Sequence, residues 1–147
     1  MNKLFYYFSM ILMFVVFITI CVVTYWMIYP YKIIVFNRNE FIITTPVVYQ
    51  GNFVHYNNDY CKFMDLPARV TRSFINHLIF TTPVVGVNRP TGCHDFDIAV
   101  LIPSELPPGY YQMEMTYQYE VNPIRTITIK ENTEEFVVKE ATKSANL

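Results

Sequence analysis

From Leu4 to Tyr31 the chain carries no charged residue; the block LFYYFSMILMFVVFITICVVTYWMIYPY lies between Lys3 and Lys32. A helix needs roughly 20 apolar residues to cross about 30 Å of hydrocarbon. This block exceeds that with a little to spare, so some tilt is expected. Tyr6 and Tyr7 stand near one end, and Tyr25, Trp26, Tyr29 and Tyr31 near the other. Amphipathic rings at both ends are the interfacial belt of a spanning helix. Pro30 lacks a backbone N–H and disfavours helical backbone at the residue before it, which predicts the end of the helix. Residues 1–31 are therefore expected to form an N-terminal tail and transmembrane anchor, with residues 4–31 in contact with the lipid bilayer.

The competing reading is a cleaved signal peptide. Its apolar region is shorter, roughly 7–15 residues, and ends at a small-x-small site. No Ala-x-Ala pattern follows this run. Cys21 is preceded by Ile20, where a lipoprotein signal requires a small residue, so Cys21 reads as a small apolar side chain facing lipid. Lys3 and the amino terminus balance Lys32 and Arg38, which leaves the positive-inside count close to a tie. A very short N-terminal tail has nothing to fold, and a long C-terminal domain crosses largely regardless of its charges. Export of the domain is the expected orientation.

After Lys32 the apolar period changes to two. Tyr111, Met113, Met115, Tyr117, Tyr119 and Val121 alternate with Gln112, Glu114, Thr116, Gln118 and Glu120. Along a strand this alternation buries one face and wets the other; around a helix it would scatter. Phe96, Ile98, Val100 and Ile102 form a second such face, with Asp95 and Asp97 opening the opposite one. Further expected strands are Ile33–Phe36, Phe41–Thr45, Val47–Gln50, Phe53–Lys62, Arg69–Phe80, Ile124–Ile129 and Glu135–Lys139. Turn residues separate them, including Asn37-Arg38-Asn39, Gln50-Gly51-Asn52 and Asp65-Leu66-Pro67, with a break expected at Lys130-Glu131-Asn132.

About seven short strands with turns every 8–12 residues predict a β-sandwich or barrel. The entry to the longest strand, and its place as the penultimate one, favour an all-β immunoglobulin-like antiparallel β-sandwich over residues 32–140, preceded by one N-terminal transmembrane α-helix. The run Pro107-Pro108-Gly109-Tyr110-Tyr111 enters the longest alternating strand. Tyr111 has the inward parity for a corner tyrosine whose hydroxyl bonds back to the backbone. Residues 141–147 are expected to be a flexible tail.

Cys61 and Cys93 are the cysteines outside the apolar block. If their strands pair antiparallel, the end of one meets the start of the other and a disulfide is geometrically allowed. It would contribute roughly 3–4 kcal/mol, in an oxidising compartment. Two free thiols are the alternative. His55, His77 and His94 invite a metal reading with these cysteines, but no C-x-x-C or H-x-x-x-H spacing is present. Asp95 and Asp97 share a face that could cradle a cation, although a wet sheet face is the plainer reading. No nucleophile motif, H-E-x-x-H or phosphate-binding glycine loop occurs. No catalytic, cofactor-binding or metal residue is therefore singled out, no cofactor is expected, and the chain reads as a non-enzyme.

The net charge is −1, and acids and bases are mixed without a basic stripe, which argues against a nucleic-acid partner. In Val121-Asn122-Pro123-Ile124-Arg125 the Asn-Pro pair favours a turn. Asn122 and Arg125 are candidate partner contacts; alternatively Arg125 pairs with Glu134 or Glu135 across the last hairpin. Arg69 and Arg72 lie on a strand that also bears Phe74. The absence of an N-x-[ST] acceptor leans toward a bacterial or viral origin.

Several segments carry a resemblance in their order: Val48-Tyr49-Gln50-Gly51, Tyr60-Cys61-Lys62, Val70-Thr71-Arg72-Ser73-Phe74-Ile75, Gly92-Cys93 and Ile102-Pro103, then Pro108-Gly109-Tyr110-Tyr111, Tyr119-Glu120-Val121-Asn122-Pro123-Ile124-Arg125 and Thr133-Glu134-Glu135-Phe136-Val137-Val138. Together they resemble small single-pass membrane proteins of tailed bacteriophages and prophages with an immunoglobulin-like outer domain. The resemblance implies a bacterial host, the inner membrane with the domain in the periplasm, and the fold. It implies no reaction and supplies no functional residue. The expected function is a membrane-anchored binding or structural protein that presents its domain to a protein partner. A membrane-active lysis or superinfection-exclusion factor and a virion-associated decoration protein are the alternatives.

Overall fold

The computed structural model describes residues 3–141; of the expected tail, all but Ala141 lies outside the described residues. It opens with one helix, α1 (Lys3–Ile28), and continues as strands. These are β1 (Ile34–Phe36), β2 (Glu40–Ile43), β3 (Val47–Tyr49), β4 (Phe53–Lys62), β5 (Ala68–Ile75), β6 (Ile79–Thr81), β7 (Val85–Val87), β8 (Gly92–Leu101), β9 (Gly109–Asn122), β10 (Arg125–Thr133) and β11 (Phe136–Lys139).

The apolar stretch of α1, Phe5–Ile28, is 24 residues long and none of it is buried against the rest of the chain. The Thr19 hydroxyl donates to the Val15 carbonyl at 2.9 Å, so that polar group is satisfied within the helix. The last helical bond runs from Tyr29 N–H to the Tyr25 carbonyl, immediately before Pro30.

The strands make two ladders. In one, β4 is flanked by β8 along its whole length and by β1 and β2 in succession on its other edge. In the other, β9 is flanked by β5 on one side and by β10 and then β11 on the other; β6 and β7 extend β5. The buried faces of the two ladders meet. The ring centres of Phe36 on β1 and Tyr117 on β9 lie 5.2 Å apart across the interface, while within the ladders Tyr56 of β4 stacks on Phe41 of β2 and Phe74 of β5 meets Phe136 of β11 edge-on. Along β9 Tyr111, Met113, Met115, Tyr117 and Tyr119 are buried, as the alternation required, and Gln118 and Glu120 are exposed.

Four expectations about strands need correction. The sheet is mixed and not purely antiparallel: β2 runs parallel to β10 through Glu40 and Phe41, and β3 runs parallel to β11. Strand β2 pairs with β4 through Ile42 and Ile43 and with β10 through the two residues before them, so it links the ladders. There are eleven strand segments: the nine named from sequence, already more than the seven or so of the expected sandwich, become eleven because Arg69–Phe80 folds into a hairpin at Asn76–Leu78 and because β7 forms. β7 holds Gly86 and lies near Pro83 and Pro90, so it reads as loop from sequence. Last, β10 continues through Lys130–Asn132 to Thr133, and the break falls at Glu134-Glu135. The β3–β4 turn is tight, with Asn52 N–H bonded to the Tyr49 carbonyl and Gly51 at φ +77°, a backbone that side chains rarely adopt.

Candidate functional site

At the joint between α1 and the strands, polar side chains converge on the end of the helix. The last carbonyls of a helix have no donor of their own, and the helix dipole leaves that end negative. Helix α1 has no basic residue in its last turn. The β9–β10 turn supplies the missing groups. Asn122 Nδ2 donates to the Trp26 carbonyl at 3.1 Å and lies 3.4 Å from the Tyr31 hydroxyl. Arg125 Nη1 donates to the carbonyls of Met27 and Tyr29 at 2.9 and 2.7 Å. Its guanidinium lies 5.8 Å from the centre of the Tyr31 ring. Asn122 Oδ1 accepts from Ile124 N–H, which closes the turn.

The structure thus brings together the two residues singled out for an external partner, but onto the chain's own helix. The reason is distance: Glu134 follows the far end of β10, where its Oε2 accepts from Ile43 N–H at 3.4 Å, while the unmet helix carbonyls lie beside the β9–β10 turn.

Cys61 and Cys93 are register partners on β4 and β8 and form a disulfide, with their Cα atoms 3.9 Å apart. It lies on the outer face of that ladder, because the inward positions of β4 are Val54, Tyr56, Asn58, Tyr60 and Lys62. The same outer face carries Asp95, bonded by Asn57 Nδ2, and Asp97, which lies 3.1 Å from His55 Nδ1. Asn37 bonds Asp59 beside them. His94 sits on the opposite face, stacked on Phe96, and His77 lies in the β5–β6 turn, so the histidines do not converge. Among the described residues no group of three or more His, Cys, Asp or Glu is placed to hold a metal ion.

A third cluster escaped the sequence reading. Arg89, from the β7–β8 connection, reaches between the ladders. Its guanidinium lies 5.0 Å from the centre of the Tyr60 ring and 5.3 Å from that of Tyr117. It donates to the Tyr117 hydroxyl at 3.3 Å, and the buried Asn58 amide oxygen accepts from its two terminal nitrogens at 2.6 and 3.0 Å. Lys62, also buried, donates to Asn88 Oδ1 and to the Arg89 carbonyl, which holds that connection in place. Burial pushes the Tyr56, Tyr60, Tyr117 and Tyr119 hydroxyls above the usual tyrosine range, with Arg89 pulling each back. Burial lowers the Lys62 ammonium. The signal that was available is the inward parity of Asn58 and Lys62 on β4.

The end of the domain remote from α1 is different. Leu78, Ile79 and Tyr110 are exposed there, around an open hollow lined by Asn76, His77, Gln112 and Glu135. At that end the Tyr111 hydroxyl donates to the Pro107 carbonyl at 2.9 Å, the corner bond anticipated from the Pro-Gly-Tyr-Tyr run. Gly109 is packed so closely that a Cβ would meet Asn76 Nδ2 at 3.0 Å.

No protein-family model and no curated protein matches this chain.

Proposed function

We propose that this chain is a single-pass membrane protein that presents an immunoglobulin-like domain to a protein partner, and that it is encoded by a tailed phage and acts at the bacterial inner membrane. The observation that carries the reading is α1: 24 apolar residues with none buried against the chain, joined by specific bonds to a folded domain. A surface that apolar needs a cover that the domain does not supply, and its length suits a bilayer. The disulfide supports an oxidising compartment, hence the periplasmic side. The immunoglobulin-like assignment is supported by the ladder β1/β2–β4–β8 facing β3–β11/β10–β9–β5, and by the Tyr111 corner bond. The phage origin rests on the ordered sequence resemblance. The reading is non-enzymatic: the polar clusters are engaged in holding the fold and the joint.

The test is fractionation of phage-infected cells, with a photo-crosslinker placed at Leu78 or Tyr110. The expected result is a full-length chain of 17.4 kDa that stays with membranes under alkaline extraction and crosslinks to one specific protein. A soluble chain shortened at its beginning would show that α1 is a cleaved signal sequence. Membrane retention without any crosslinked protein would overturn the partner reading and leave the anchor intact.

A further inference from the structure

Exposed apolar side chains occur at both ends of the domain, so exposure alone selects neither. What distinguishes the end next to α1 is its fixed depth. At about 1.5 Å per residue, Phe5–Ile28 is about 36 Å long, against about 30 Å of hydrocarbon. Tyr25, Trp26 and Tyr29 mark the interface at its C-terminal end. Asn122 and Arg125 bond the carbonyls of Trp26, Met27 and Tyr29, so the β9–β10 turn is held level with that belt. Between them the turn presents Pro123 and Ile124, both exposed, and Ile124 leaves 50% of its surface uncovered. No charge interrupts the turn, because the only one in it, Arg125, is directed at the helix carbonyls.

A second element reaches the same end. Phe63 follows β4, its N–H bonds the Ile33 carbonyl at 2.7 Å, and 52% of its surface is exposed. The Lys32 ammonium lies 4.3 Å from the centre of its ring. A lysine over an aromatic ring, just beyond a spanning helix, suits the headgroup layer, where the ring is partly covered and the ammonium stays wet.

We propose that this end of the domain is a lipid-contact surface: Pro123 and Ile124 enter the acyl–headgroup boundary beside α1, and Phe63 with Lys32 lies in the headgroup layer. The domain then rests on the bilayer in one orientation and directs its remote end away from it. This rests on the membrane-spanning reading of α1, and the test separates the two.

The full chain, with Cys21→Ser and its disulfide intact, is reconstituted in phosphatidylcholine–phosphatidylglycerol vesicles. A nitroxide is attached to single cysteines introduced as Phe14→Cys, Phe63→Cys, Pro123→Cys, Ile124→Cys or Leu78→Cys. Power saturation then compares access to oxygen, which favours lipid, with access to a water-soluble nickel chelate. The oxygen-to-nickel ratio at positions 123 and 124 is expected to be several-fold above that at 78, with 63 between them and 14 highest. A lipid-like value at 14 with water-like values at both 123 and 124 would overturn the lipid-contact surface while leaving the anchor standing. A water-like value at 14 would overturn the anchor and this inference with it. Reading 123 as well as 124 guards against a local effect of replacing Ile124.

Discussion

The two ends of the domain use their side chains in opposite ways. Next to α1, the polar groups are committed within the chain: Arg125 and Asn122 to helix carbonyls, Arg89 to Asn58 and Tyr117, Lys62 to the β7–β8 connection, and Cys61 to Cys93. At the remote end, Leu78, Ile79 and Tyr110 stand exposed around an open hollow. The difference teaches where a partner of the kind proposed would have room. The first end is built to hold a geometry, and the second has surface left over. Substitutions should therefore be costly at the first and nearly silent for stability at the second.

The sharpest version of that contrast is the disulfide. Replacing Cys61 and Cys93 together by Ala should lower stability by about 3–4 kcal/mol, because their link constrains a long loop in the unfolded chain. Denaturation in detergent micelles, followed by near-ultraviolet circular dichroism, measures it. Next is Arg89→Ala, which leaves the buried Asn58 amide without its donor and removes the cation between two rings; a loss of about 1–3 kcal/mol is expected in the same experiment.

The same cluster predicts a pH dependence. The buried tyrosines have folded values raised above 10.0, so the stability they contribute is fully present below that value and is lost as pH rises through their folded values. Lys62 has the opposite sign: its folded value is depressed below 10.5, so its penalty at neutral pH is relieved as pH rises toward that value. Below about pH 10 these tyrosines are protonated in both states, so denaturation midpoints should hold or rise slightly as Lys62 discharges, and they should fall once the pH passes about 10.

A smaller effect is expected from Arg125→Ala. Loss of a cation and donor at the helix C-terminus should cost about 1 kcal/mol, and it should broaden the distance distribution between spin labels on α1 and on the domain. Least of all, Leu78→Ser at the remote end should change stability by no more than about 0.5 kcal/mol. A large loss there would erase the contrast between the ends.

Much of the fold was legible because its signals are local. The uncharged block marked α1 to within a few residues, and the alternation in β9 marked its buried face, while in β8 it holds at Ile98 and Val100 but leaves Phe96 exposed. The Cys61–Cys93 pairing was accessible once β4 and β8 were taken as neighbours. The bonds of Arg125 to the helix are not legible in the sequence, since nothing near it reveals carbonyls almost a hundred residues earlier. Arg89 was missed altogether, because a single arginine between Asn88 and Pro90 looks like any solvated loop residue.

By itself, then, the order of residues determined the helix, most of the strands and the apolar side of the longest one, because periodicity is a property of the neighbouring few residues. Folding decided which edges join. β2 runs parallel to β10, and β3 parallel to β11, because backbone donors and acceptors are alike in every strand and only the packing of the whole domain selects a neighbour. It also decided that two side chains from a distant turn would close the end of α1, since unmet carbonyls accept whatever donor the packed structure brings within reach.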